Sequence, residues 1–362
     1  MKILLIGDAS NYHNALGKGF SRLGHDVTLA SDGSRWMDTE RHIDLTRMNN
    51  KAGGALLWLR LSTILASRLR GYDVVQLVSP IFVQLRPKRV AELFKRLKHD
   101  NGSVYLTALG TDTSVLKMAL DPGCPLRYTE WRVDGNPTPY ALSPRGQESL
   151  LWLKDPLLSH SEMIYENVDG VITALYEYQL AMERVLPKDK IAYGGIPVDI
   201  ESIPFVPAQI DAHRTLKVLA PYHGGRELEK GTDIMRQIAQ SVPTIDLQPV
   251  TGLKFSEFQQ RIADSDVVLD QYYSYTPATT ALMAMAMGKV VATGAEKDFE
   301  NFIGESVPAI NVGPHDHETL RRFLATGDAG KPVGGKEARD FVERNNDAVV
   351  VAQRFVDFYT MK

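Results

Sequence analysis

Two doubly wound, parallel α/β sheets are the architecture this sequence predicts. Its 362 residues exceed what one ordinary hydrophobic core accommodates, so two domains are expected. Short apolar runs recur along the chain without strict alternation, the pattern of strands buried on both faces of a parallel sheet. Between them lie stretches of helical periodicity, which supply the crossovers joining parallel neighbours.

In chain order the strand-like runs are 2-KILLIG-7, 26-DVTLAS-31, 73-DVVQLV-78, 103-SVYLTAL-109, 170-GVITA-174 and 190-KIAYGG-195. They continue with 216-LKVLAP-221, 245-IDLQPV-250, 266-DVVLDQ-271, 289-KVVATG-294 and 308-PAINVG-313. The stretches 14-NALGKGFSRLG-24 and 281-ALMAMAMG-288 exemplify the helices between them. Glycines and prolines interrupt the periodicity at 194-GGIPVDIESIPFVP-207, which sets the expected boundary. Residues 1–198 then form one Rossmann-like domain and 199–335 a second. Residues 336–362 are expected to return toward the first domain as one helix, with Val349, Ala352, Phe355, Val356 and Tyr359 on a single face. Segment 113–156 stands apart, proline-rich and irregular with Trp131 and Trp152, the signature of a functional insertion or of decoration.

Composition narrows the function classes. Apolar residues make up 44% and charged residues 23%, which is globular rather than disordered. A net charge of −3 gives no general attraction for nucleic acid, so any polyanion contact is local. A lone cysteine, Cys124, leaves no disulfide framework and no cysteine-based zinc site, and fits a reducing cytoplasm. The N-terminal run ends at Asp8 without a signal-peptide pattern and reads as a first strand. The most apolar long stretch, 53–71, is broken by Arg60 and Arg68 and is too polar to span a bilayer. His315 and His317 flank Asp316, but nothing nearby completes a ligand set, so no metal site is expected.

The stretch richest in chemistry is 222-YHGGRELEKGTD-233. It follows a strand and leads into a helical pattern, at the strand end where open α/β sheets bind ligands. Gly224 and Gly225 let the backbone approach a ligand without a Cβ in the way. Arg226 offers a planar fork for phosphate oxygens and Lys230 a mobile point charge, with His223 close by in sequence. The competing reading is a solvent loop whose cations pair with Glu227 and Glu229. Downstream, Ser274, Tyr275, Thr279 and Thr280 cluster where a helix starts, and N-terminal N–H groups with hydroxyls suit an anion and a ribose or sugar. Met283, Met285 and Met287 read as a pocket floor or, more simply, as helix-to-sheet core.

Taken in order, four stretches resemble the family 4 type of GT-B glycosyltransferases: 24-GHDV-27, 195-GIPVDI-200, 225-GRELEKG-231 and 282-LMAMAMGKVVAT-293. The likeness runs nearly end to end. It implies two Rossmann-like domains facing across a cleft, with Arg226 and Lys230 holding the diphosphate of a nucleotide sugar. Departures accompany it. The family's paired glutamates fall on Tyr275 and Met283, and Leu109 stands where a histidine is usual, while Asp112 is kept. The stretch 270-DQYYSYTPA-278 resembles a diverged bacterial group associated with surface polysaccharides.

The resemblance implies a cytoplasmic, metal-independent hexosyltransferase acting with retention, peripheral on the inner face of the membrane when its acceptor is a lipid-linked glycan. No cofactor is expected, the nucleotide sugar being a co-substrate. Gly7, Asn11, His13 and Asn14 follow the first strand and are expected at the acceptor, His13 as a proton shuttle or as an ordinary loop residue. Asp112 either orients an acceptor hydroxyl and takes its proton or caps the helix that follows. Thr251, Gly252 and Leu253 are placed at the nucleobase, and segment 113–156 at a wall of the acceptor site. Helix 87–100 is basic and amphipathic, which suits peripheral membrane contact or simple packing on the sheet. Against the transferase stand a catalytically silent partner subunit, suggested by the missing carboxylates, and another enzyme on the same fold, such as a nucleotide-sugar epimerase.

Overall fold

The computed structural model describes every residue except Arg35, Trp36, Ala212, His213, His223 and Lys362. Contacts divide the chain into two units. The first joins Met1–Met118, Leu150–Pro197 and Ala348–Lys362; the second joins Ala119–Ser149 and Val198–Asp347.

Unit one is built on a seven-stranded parallel sheet: β1 (Lys2–Ile6), β2 (Asp26–Ser31), β3 (Ile43–Asp44), β4 (Val74–Leu77), β5 (Ser103–Ala108), and, after an intervening hairpin β6 (Arg132–Val133) and β7 (Asn136–Pro137), β8 (Gly170–Thr173) and β9 (Ile191–Tyr193). The spatial order is β3-β2-β1-β4-β5-β8-β9, so the chain reverses direction across the sheet between β1 and β4. Unit two holds a five-stranded parallel sheet of β10 (Lys217–Pro221), β11 (Asp246–Val250), β12 (Val267–Leu269), β13 (Val290–Thr293) and β14 (Ile310–Asn311). Its order is β11-β10-β12-β13-β14, which puts the reversal between β10 and β12. All eleven predicted strands are present. The three additional ones, β3, β6 and β7, span two residues each and carry no periodic signal.

Apolar continuity does what the sequence pattern requires. Ile3, Leu4, Leu5 and Ile6 are fully buried, as are Val218, Leu219, Val267 and Val268 in the second sheet. The helix Thr279–Ala286 lies on that second sheet with Met283 and Met285 buried, and Met287 beside them, so the methionine stripe is core. In unit one the helix Tyr12–Arg22 packs against the helix Ala348–Thr360 with Phe20 edge-on to Phe355, ring centroids 6.1 Å apart. Gly19 makes that approach possible: a Cβ there would stand 2.0 Å from the Ala348 carbonyl oxygen. Among the described residues no helix is long and apolar enough to cross a membrane.

Two expectations need correction. Residues 336–359 are not one helix. Gly335–Asn346 belongs to unit two and Ala348–Thr360 to unit one, with Asp347 leaving the helical region between them (φ −51°, ψ 136°). The buried face of the second helix is Ala348, Val351, Ala352, Phe355, Phe358 and Tyr359. Nor does the insertion stay with the half of the chain that contains it: Ala119–Ser149 is part of unit two. It is folded rather than irregular. A helix Pro139–Leu142 is capped by Thr138, whose hydroxyl accepts from the Ala141 amide at 3.2 Å, and a second helix, Pro144–Ser149, follows at once. Gly19→Val is expected to destabilise the protein by about 1–3 kcal/mol through overpacking of the helix pair, read as a lowered urea midpoint; an unchanged midpoint would show that the contact is not tight.

Candidate functional site

The reversal between β10 and β12 is where an open α/β sheet offers a crevice at its strand ends. The chain leaving β10 runs through Gly224 and Gly225, both exposed, and a short helix, Glu227–Lys230. Gly225 has φ +82°, and a Cβ at Gly224 would meet none of the described residues within 4 Å, chain neighbours aside, so the backbone here is uncrowded. Gly231 ends the short helix at φ +67°, where a Cβ would press on the Tyr272 side chain at 2.6 Å. That tight fit carries Lys230 back over the chain leaving β12: its carbonyl accepts from the Tyr272 amide at 2.8 Å, and its Nζ lies 3.9 Å from Asp270 Oδ1.

The charges are arranged around two carboxylates, Asp270 buried and Glu229 half-buried. Glu229 accepts two hydrogen bonds from Arg226, from Nε at 3.0 Å and Nη2 at 2.6 Å, and lies 3.3 Å from Arg145 Nε. Burial by itself would raise the Glu229 carboxyl, but Arg226, Arg145 and Lys230 bring it below its ordinary range. Burial pushes Lys230 down and Asp270 up, and each partly restores the other's charge. Asp270 Oδ2 is buried without a hydrogen-bond partner among the described residues. Three cations thus face these two carboxylates, and a third carboxylate, Glu227, accepts from the Gly225 amide at 3.2 Å, so acids and bases balance at the glycine pair. The pairing of Arg226 with Glu229 is real, so the loop-pairing reading is correct as far as it goes. It leaves the cations in place and fixes their planes.

Arg145 has no counterpart in the sequence-level reading. It arrives on the excursion Ala119–Ser149, which is fastened to unit two beside β13 and β14. Tyr128 donates from its hydroxyl to Glu296 Oε1 at 2.7 Å, Arg127 pairs with the other oxygen of Glu296, and Asn311 Nδ2 donates to Oε1 at 3.2 Å. The Tyr128 and Tyr275 rings lie 4.8 Å apart, and the Tyr275 hydroxyl accepts from the Arg127 amide at 2.7 Å. Nothing in the sequence links Arg127 to Glu296, 169 positions later.

These contacts correct several expected roles. Tyr275 is fully buried beneath the excursion, and burial raises its hydroxyl to about 12, so it holds the chain together instead of facing a ribose. Ser274 is buried too, with its hydroxyl donating to the Thr276 carbonyl at 2.8 Å. Thr279 and Thr280 remain half-buried at the start of the helix Thr279–Ala286, while Thr251 and Gly252 are exposed and Leu253 half-buried after β11. His223 lies outside the described residues.

In unit one the expected acceptor residues divide. Gly7 (φ +78°) is needed for close approach to its own chain, a Cβ there meeting Val78 Cγ1 at 2.5 Å and the Phe82 carbonyl oxygen at 2.7 Å. Asn11 and Asn14 are half-buried and joined by a 2.7 Å hydrogen bond. His13 is fully buried, which lowers it to about 4. It belongs to a neutral chain: Nδ1–H donates to the Gly7 carbonyl at 2.7 Å and Nε2 faces Thr107 Oγ1 at 3.4 Å. Thr107 in turn accepts from Gln76 Nε2 at 2.9 Å, and the Tyr359 hydroxyl donates to Gln76 Oε1 at 2.8 Å. A proton shuttle needs access, and His13 has none. Asp112 caps the helix Thr113–Leu120, accepting from the Ser114 amide at 2.9 Å, the Ser114 hydroxyl at 2.6 Å and the Val115 amide at 3.2 Å. Among the described residues no group of three or more His, Cys, Asp or Glu is placed to hold a metal ion.

No family model matches the chain, and no curated protein matches it in sequence. Solved structures do match. The Anabaena protein HepE, in complex with UDP-glucose, has a TM-score of 0.61 at 12% identity, covering 100% of both chains. Sucrose-phosphate synthase from Thermosynechococcus elongatus has a TM-score of 0.60 at 13% identity, covering 100% of this chain and 99% of that one. UDP-GlcNAc 2-epimerase from Neisseria meningitidis, bound to UDP-GlcNAc, has a TM-score of 0.50 at 9% identity over 100% of both. At these identities the likeness shows the fold, GT-B with its two Rossmann-like units, and a fold does not name a reaction.

The buried groups near β1 set a pH signature. His13 falls from 6.5 to about 4 on folding because of burial, so the unfolded chain takes up that proton first and stability drains as pH drops from 6.5 to 4. Asp8 rises from 3.8 to about 6, again by burial, against hydrogen bonds from Thr39 and His13. Its contribution has the opposite sign, complete below 3.8 and lost as pH climbs through 6. The two offset each other. Asp8→Asn is expected to make the urea midpoint fall more steeply than wild type between pH 6.5 and 4; parallel profiles would contradict this assignment.

Proposed function

We propose that the chain is a glycosyltransferase, moving a hexose from a nucleotide-sugar donor to a glycan or lipid-linked acceptor, with retention, in bacterial surface polysaccharide or glycoconjugate synthesis. The observation that carries this reading is the cation group at the exposed Gly224–Gly225 turn, at the β10/β12 reversal of a GT-B fold. Breaking a glycosidic bond to a nucleoside diphosphate builds negative charge on the departing oxygens. Arg226 and Lys230 would neutralise it, taking the role a divalent ion plays in other transferases. Lys230 suits the task because Asp270 keeps it charged in a buried setting, while Glu229 holds the Arg226 fork in one plane. Thr279 and Thr280 would serve the ribose or sugar, and main-chain groups of Thr251, Gly252 and Leu253 the base. Unit one would take the acceptor, through the region of Asn11 and Asn14.

The lost carboxylates favour one competing reading, a catalytically silent subunit, because Tyr275 and Met283 are both buried core where the family carries glutamates. Turnover separates the two. Nucleotide release from a panel of sugar donors that depends on acceptor extract is expected, and would exclude the silent subunit. Product formed without acceptor would point to an epimerase. Arg226→Ala with Lys230→Ala is expected to weaken nucleoside diphosphate binding by at least about 100-fold in calorimetry, the loss of two charge-assisted contacts, with the unfolding midpoint retained. Undiminished affinity would remove the donor-site assignment.

Peripheral membrane contact is proposed for unit one, though not through the apolar face of the helix Pro87–Asp100. Val90, Leu93, Phe94 and Leu97 are buried there. The preceding helix, Gly53–Ser62, and the turn after it instead expose Leu56 (43%), Leu59 (57%) and Ile64 (73%). The two helices share Trp58, whose ring lies 5.7 Å from the Arg89 guanidinium and 5.1 Å from that of Arg96. Residues 47–98 hold eleven Lys and Arg against two Asp and Glu, while the remainder holds 30 against 42. A net +9 beside exposed leucines suits an anionic lipid surface, each basic residue contributing about 1 kcal/mol near it. The protein is expected to sediment with phosphatidylglycerol vesicles and not with phosphatidylcholine, and Leu56→Asp with Leu59→Asp to release it. Equal behaviour toward both vesicles would contradict the surface.

A further inference from the structure

We infer that Arg145, carried into unit two by the excursion Ala119–Ser149, is a third cation of the diphosphate site and completes its grip on the donor. The inference rests on the donor-site reading above and adds to it a residue 81 positions before Arg226 in the chain.

Arg145 Nε lies 3.3 Å from Glu229 Oε2, the same oxygen that accepts from Arg226 Nε at 3.0 Å. One carboxylate therefore holds two guanidinium groups side by side. Among the described residues, chain neighbours aside, Arg145 Nη1 alone comes within 4 Å of the point where a Gly225 Cβ would stand, at 3.9 Å, so its fork extends over the glycine turn itself. A side chain at 225 would occupy the space between that fork and the backbone.

A guanidinium on a mobile loop loses in ordering what it gains in contact. Here the support is built. The Ser143 hydroxyl accepts from the Gly146 amide at 3.1 Å, Gln147 Nε2 donates to the Ala141 carbonyl at 2.8 Å, and the Tyr140 and Ser149 hydroxyls meet at 3.0 Å. Gly146 is required because a Cβ would lie 2.1 Å from the Tyr140 carbonyl oxygen. Trp131 packs edge-on to Tyr140 at 5.1 Å, and Tyr128 and Arg127 lock the start of the excursion onto Glu296. The Arg145 side chain is nonetheless 49% exposed, which is more than a structural ion pair needs and leaves its outer N–H donors accessible.

Without Arg145, two cations face three carboxylates, Glu227, Glu229 and Asp270, and the turn is net negative; with it the charges balance and the net repulsion toward a diphosphate is removed.

The test uses the full chain and two probes, inorganic pyrophosphate and the tightest binder among UDP, ADP, GDP and dTDP. Arg145→Ala is expected to weaken both about 10-fold, and Arg145→Lys to recover most of the loss, with unfolding midpoints unchanged. Wild-type affinity in Arg145→Ala, alongside loss in the Arg226→Ala, Lys230→Ala pair, would overturn the inference and leave the donor site standing. Undiminished binding in all variants, or none in wild type, would overturn both. Equal loss in the alanine and lysine variants together with a lowered midpoint would assign Arg145 to holding the excursion in place, which also overturns it.

Discussion

Glu229 is the residue on which the arrangement of the second unit's candidate site depends. Its carboxylate sits low in the structure, with 14% of the side chain exposed, and stays ionised because Arg226, Arg145 and Lys230 surround it. A buried charge of this kind is costly unless paired, and the same pairing converts three flexible side chains into an oriented group. Asp270 does for Lys230 what Glu229 does for the arginines. The cations at Gly224 and Gly225 are therefore held by acids, three against three once Glu227 on the Gly225 amide is counted.

That constraint reaches back along the chain. Arg145 meets Glu229 only because the chain leaves unit one at residue 119 and spends thirty-one residues in unit two before returning. The excursion is anchored twice, by Glu296 at one end and by Glu229 at the other. Tyr275 lies under the first anchor. Its hydroxyl and ring stabilise the docked segment, which gives a physical reason for a buried tyrosine where a carboxylate is usual in the family the sequence resembles. Glu296, buried and triply bonded, is the acid this chain does keep in that neighbourhood.

The sheets were legible in the sequence because buried parallel strands advertise themselves as uninterrupted apolar runs, from Lys2–Ile6 through Ile310–Asn311. The glycine–arginine–lysine turn was legible because its residues are close in sequence. The excursion was not, since proline-rich composition marks a loop without saying which core it joins, and Arg145 is distant from its partners in the chain. The break at Asp347 was hidden for another reason: both flanking segments keep helical periodicity, and only the bridge from Val198 to Asp347 shows where the helix must stop. His13 was misleading in an instructive way. A polar residue after β1 reads as a site residue, but the turn of the helix Tyr12–Arg22 points it inward, onto Gly7 and Thr107.

Electron density for a bound nucleoside diphosphate tests the account most directly. Crystals soaked with the compound are expected to show its phosphate oxygens within hydrogen-bonding distance of Arg226 and Lys230 and over the Gly224–Gly225 backbone. Diphosphate density lodged elsewhere, with these cations still bound to Glu229 and Asp270, would contradict it.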